Sequence, residues 1–150
     1  MARLAVDFQR TASTTASLGS LVADATRPRR ISVYQIMLGS EAAPADQAIL
    51  WQVGRISAAG TSTAVTPLMI DNDVATEADA GENHSVEPTY TANANMLNIP
   101  ANQKATVLWQ TLPELGIIIP GTASNGFGLR TPTITSGTPV ITSTWHALEY

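Results

Sequence analysis

The residues able to do chemistry are few and scattered. The chain has no cysteine, one lysine (Lys104) and two histidines, His84 and His146, in 150 residues. Thiol catalysis, disulfides and cysteine-ligated zinc are therefore absent. No Gly-x-Ser-x-Gly elbow is present to expose a nucleophilic serine, and no Gly-x-x-x-x-Gly-Lys loop to cradle phosphates. His84 lies in an acidic stretch and reads as a solvated loop residue, and His146 as a surface residue on a Thr-rich strand face. Asn83-His84-Ser85 matches the glycosylation pattern, which is common by chance. Asp71, Asp73, Asp79 and Glu82 fall at positions 1, 3, 9 and 12 of a calcium-type loop. Ala75 and Thr76 occupy positions 5 and 6, where an oxygen ligand and a glycine are needed, so a solvated acidic loop is the expectation. No metal, no cofactor and no catalytic residue is assigned. Trp51, Trp109 and Trp145 have the chemistry of a sugar-stacking surface, but Trp51 and Trp109 sit among Ile, Val and Leu and are expected in the core.

Composition bounds the class. Charged residues are 13 % of the chain, about half the usual share, while thirty residues are Ser or Thr. Such a surface suits a protein packed against others. The net charge of −4 argues against nucleic acid, which selects a basic stripe. The one basic cluster, Arg27, Arg29 and Arg30, reads as a loop anchor before a strand or as a contact to an acidic partner. No apolar run approaches the roughly 20 residues of a membrane span, and Met1 to Arg10 lacks a secretory core. The expectation is a protein made soluble in a cytoplasm, with no membrane partner.

The elements that would position these residues are strands. Leu4–Phe8, Ile31–Leu38, Ala48–Ile56, Thr63–Ile70, Asn93–Ile99, Ala105–Thr111, Gly116–Ile119, Leu129–Ile134 and Val140–Leu148 carry alternating or β-branched apolar residues, punctuated by Gly, Pro and Asn. In Ala48–Ile56 the alternation turns Ile49, Trp51 and Val53 one way and Leu50, Gln52 and Gly54 the other. Pro44 suggests a helical turn in 42–47, and Asp73 and Gly81 would cap a short helix over 74–80. The reading is all-β: an antiparallel β-sandwich of jelly-roll type with at most one or two helical turns. Residues 1–20 read as an N-terminal arm with a short strand, and 21–150 as one sandwich domain. Leu50-Trp51-Gln52 recurs as Leu108-Trp109-Gln110, two strands in similar core positions.

The order of these pieces resembles a known family. Arg29-Arg30-Ile31-Ser32-Val33-Tyr34 is followed by Ala48-Ile49-Leu50-Trp51-Gln52-Val53, then by Ala58-Ala59-Gly60-Thr61-Ser62-Thr63-Ala64-Val65-Thr66-Pro67. The acidic stretch, Ala123-Ser124-Asn125-Gly126-Phe127-Gly128 and a final Thr-rich strand complete it. The chain is similar in this to the small jelly-roll capsid decoration, or cement, proteins of tailed bacteriophages. The resemblance implies a non-enzymatic virion protein on the outer capsid surface, with the major capsid protein and sister subunits, as a homotrimer, for partners. Arg3, Phe8 and Arg10 of the arm and Arg27, Arg29 and Arg30 are the capsid-contact candidates. The alternative is a phage tail or fibre tip, or a carbohydrate-binding sandwich, marked by exposed aromatics at one edge.

Overall fold

The computed structural model describes residues 1–71 and 75–150. Among them twelve strands form: β1 (Ala2–Thr11), β2 (Gly19–Ala23), β3 (Ile31–Ala42), β4 (Ala48–Ala58), β5 (Thr61–Val65), β6 (Leu68–Met69), β7 (Ala78–Val86), β8 (Thr89–Asn102), β9 (Val107–Gln110), β10 (Ile117–Ile119), β11 (Gly126–Ile134) and β12 (Val140–Glu149). One 3₁₀ turn spans Pro113–Leu115. The strands make two six-stranded sheets. Sheet A runs β10-β3-β12-β1-β6, with β9 beside β10 on the same edge of β3. Sheet B runs β5-β7-β2-β11-β4-β8. All pairings are antiparallel.

The chain crosses between sheets as β1 (A), β2 (B), β3 (A), β4 (B), then β8 (B), β9 and β10 (A), β11 (B) and β12 (A). This alternation is the jelly-roll order. The segment β5–β7 is inserted between β4 and β8. It extends sheet B beyond β2 and sheet A, through β6, beyond β1.

Period-two side-chain alternation fills the space between the sheets. Sheet A contributes Leu4, Val6, Phe8, Ile31, Val33, Ile36, Leu38, Ile141, Trp145 and Ala147; sheet B contributes Leu21, Ile49, Trp51, Val53, Phe127 and Leu129. Phe8 meets Trp145 edge-to-face, with ring centroids 5.5 Å apart. The Trp145 indole N–H donates to Ser143 Oγ at 2.8 Å, and that hydroxyl donates to the Met37 carbonyl at 3.0 Å, so these two buried polar groups are satisfied.

Three expectations need correction. The N-terminal segment is no separate arm. β1 pairs with β12 over its whole length, from Ala2 opposite Glu149 to Thr11 opposite Val140, and Leu4, Val6 and Phe8 are fully buried. A short apolar strand finds its sheet partner within the domain. Where a helical turn is expected in 42–47, Ala42 ends β3 and 43–47 is irregular chain, with Ala43 at φ 52°. The helix expected over 74–80 begins outside the described residues, and from Ala78 the chain is β7, paired with β2 and β5.

Candidate functional site

The sequence candidates are dispersed by the fold. Phe8 is 1 % exposed against Trp145, so it contacts the core and no outside partner. Arg10 is half-buried and donates to the carbonyls of Ser17 (2.8 Å) and His84 (3.1 Å). Arg3 binds Asp71 through Nε (3.0 Å) and Nη2 (2.6 Å). That contact raises the arginine's pKa and lowers the aspartate's. Arg27 pairs with Glu77 at 3.0 Å, and Arg29 lies 4.0 Å from both Glu77 and the buried Glu149. Arg30 covers the Tyr150 ring at 5.6 Å. Each arginine of the basic cluster thus has a partner within the chain, while the Arg27 side chain stays 73 % exposed. Solvent screening makes the exposed pairs, Arg3–Asp71 and Arg27–Glu77, weak contributors to stability. The Asp24 carboxylate starts this loop by accepting N–H bonds from Arg27 (2.5 Å) and Thr26 (2.8 Å), which hold it down at about 2.

The acidic residues do not converge either. Asp71 is taken by Arg3, Glu82 accepts the Gln9 N–H at 2.8 Å, and Asp79 lies on the outer face of sheet B. Asp73 is outside the described residues. Among the described residues no three His, Asp or Glu side chains are grouped to hold a metal. Trp51 and Trp145 are buried, and Trp109 is half-buried against the core from the opposite sheet to Trp51. None of these indoles is displayed to stack on a sugar.

His84 is not a solvated loop residue. It is 2 % exposed, and neither ring nitrogen has a hydrogen-bond partner among the described residues. Burial lowers its pKa. The hydroxyl of Ser17, the serine whose carbonyl shares Arg10 with that of His84, donates to Glu87 Oε2 at 2.7 Å. The imidazole is therefore not placed to activate that serine.

Two surfaces stand out once the geometry is assembled. The first is a rim at the β9 edge of sheet A. Asp7, Thr144, Met37 and Leu108 line up across its outer face by register. Leu112 and Leu115, on the turn after β9, continue the edge. Leu108, Leu112 and Leu115 are 54 %, 64 % and 70 % exposed and Met37 39 %. The second is a polar ladder on the outer face of sheet B. Glu87 accepts from the Ser17 N–H (2.6 Å); Ser17 Oγ bonds Tyr90 Oη (2.7 Å); the Arg130 guanidinium lies 4.1 Å from the Tyr90 ring centre; Arg130 Nε donates to Gln52 (2.6 Å), and Gln52 to Asn98 (2.7 Å). Tyr90 reaches this place from edge strand β8 by crossing over Gly54 and Gly128. Desolvation pushes its phenol up to about 12. No local sequence pattern marks this ladder, and strand alternation shows Gln52 only as an outward residue.

No family model, curated protein or solved structure matches the chain.

Proposed function

We propose that the chain is a non-enzymatic structural protein that binds the outside of an assembled phage head and stabilises it, as decoration or cement proteins do. In this reading its partners are the major capsid protein and sister copies in a homotrimer, and it resides on the virion surface. The observation that carries the reading is the apolar rim. Leu108, Leu112 and Leu115 are each more than half exposed and Met37 is 39 % exposed, and uncovered apolar side chains gathered at one edge are the mark of a contact surface. The rim adjoins a sheet face that carries Thr142, Thr144 and Gln35 together with Asp7 and His146. The jelly-roll order is compatible, being a fold found in viral capsid proteins, though a fold by itself does not define a function.

The test is sedimentation of purified protein with heads assembled from the major capsid protein of the same genome. Stoichiometric co-sedimentation is expected, with loss of binding in Leu112→Asp/Leu115→Asp. Wild-type protein that stays in the supernatant at micromolar concentration refutes the reading.

A further inference from the structure

Arg130 differs from the paired arginines of the chain. Arg3, Arg27 and Arg29 each have a carboxylate within 4.0 Å; among the described residues Arg130 has none. Its guanidinium is nevertheless fixed. One face rests on the Tyr90 ring, and Nε donates to Gln52 Oε1 at 2.6 Å. Both supports are themselves held, Tyr90 by Ser17 and Gln52 by Asn98, each at 2.7 Å. Neither support carries charge. The acid of the ladder, Glu87, stands three links away, behind Ser17 and Tyr90. The two terminal amino groups of Arg130 have no acceptor among the described residues.

We propose that Arg130 is a preformed anchor for a carboxylate side chain, an Asp or Glu of a partner protein docking on the outer face of sheet B. A guanidinium presents a planar fork that matches a carboxylate with two parallel N–H bonds. Stacking and the Gln52 bond have already removed the rotamer freedom that such a contact normally costs. Arginine on tyrosine is also the composition found at the energetic centres of interfaces. A polyanion fits less well, because Asp24 and Asp79 lie at the other end of this face and the chain is net negative. The anchor is on the opposite sheet from the apolar rim, so it is a second contact surface. It stands whether or not the partner of the rim is a phage head.

The test uses wild-type protein labelled with ¹⁵N-arginine and follows the side-chain Nε–H signals by NMR. The probe is sodium acetate, with sodium chloride at equal ionic strength as reference. The Arg130 signal is expected to shift saturably with acetate, with half-saturation about fivefold lower than for the exposed, already paired Arg27. A signal that moves equally in acetate and chloride, or no more readily than that of Arg27, overturns the anchor. A response to inorganic phosphate without one to acetate overturns the carboxylate assignment. Failure of head binding with an intact acetate response overturns only the reading of the rim.

Discussion

Gly128→Ala tests the seat of Tyr90. A Cβ at this glycine would lie 2.5 Å from Tyr90 Oη, 2.9 Å from Cζ and 3.1 Å from Cε1. The phenol is not a free end that swings aside, since Oη bonds Ser17 and the ring carries Arg130. Gly54 closes another side, with its own ideal Cβ 2.9 Å from Tyr90 Cδ1. The alanine therefore forces the ring off its seat. Overpacking strain costs about 1–3 kcal/mol, the lost Ser17 bond about 1 kcal/mol, and the lost stacking about 0.5–1 kcal/mol. Since φ at Gly128 is not positive, the backbone accepts alanine, and reduced freedom of the unfolded chain returns about 0.5 kcal/mol. The net expectation is a loss of about 2–4 kcal/mol, read from urea unfolding midpoints. The same substitution in a Tyr90→Ala background should cost under about 1 kcal/mol, because the collision partner is gone. A neutral or stabilising Gly128→Ala, or an equal cost in both backgrounds, refutes the seating of Tyr90 against Gly128.

Three further outcomes are expected. Burial holds the folded-state pKa of His84 below the unfolded 6.5, so the unfolded chain takes the proton first. Stability is full above about pH 6.5 and falls as pH drops toward the folded pKa, by up to about 1.4 kcal/mol per unit; urea midpoints at pH 7.5 and 5.5 should converge in His84→Gln, and an unchanged gap contradicts this. Deleting Met1 to Thr11 should abolish the fold, since it removes the partner of β12 and three core side chains; a dispersed NMR spectrum from the remnant would show that β1 is dispensable. Trp145→Ala should cost about 3–5 kcal/mol by chemical denaturation, and half-buried Trp109→Ala clearly less; equal costs would refute that ranking.

The strands legible in the sequence were those whose own residues favour β-structure. Ile31–Leu38, Ala48–Ile56 and Val140–Leu148 are rich in β-branched and aromatic residues, and Ile49, Trp51 and Val53 do face the core while Gln52 faces out. β7 was illegible because Ala78-Asp79-Ala80-Gly81-Glu82 has a helix-like and turn-like composition; pairing with β2 on one side and β5 on the other overrides it. β8 extended past its expected start because Tyr90 is tied down by residues far away in sequence. The ladder joins Ser17, Gln52, Tyr90 and Arg130, and no local pattern marks partners that lie on four separate parts of the chain. His84 was misplaced for a similar reason. Its acidic neighbours suggested water, but strand alternation turns it inward.

The position of β12 has a consequence for the order of synthesis. β12 lies between β3 and β1, and among the described residues β1 otherwise pairs only with the two-residue β6, at Leu4 and Ala5. Within this domain β1 therefore emerges from the ribosome ahead of β12, its main partner, and Leu4, Val6 and Phe8 gain their full cover only when β12 follows. All six strands of sheet B are available once β11 emerges, whereas sheet A still lacks β12, the strand that joins β1 to β3. Such non-local closure is slow and prone to misassociation. Because Ala2 lies opposite Glu149, a circular permutant that places β12 directly ahead of β1 turns this most distant pairing into a hairpin. It should reach the same fold faster and with less aggregation during refolding.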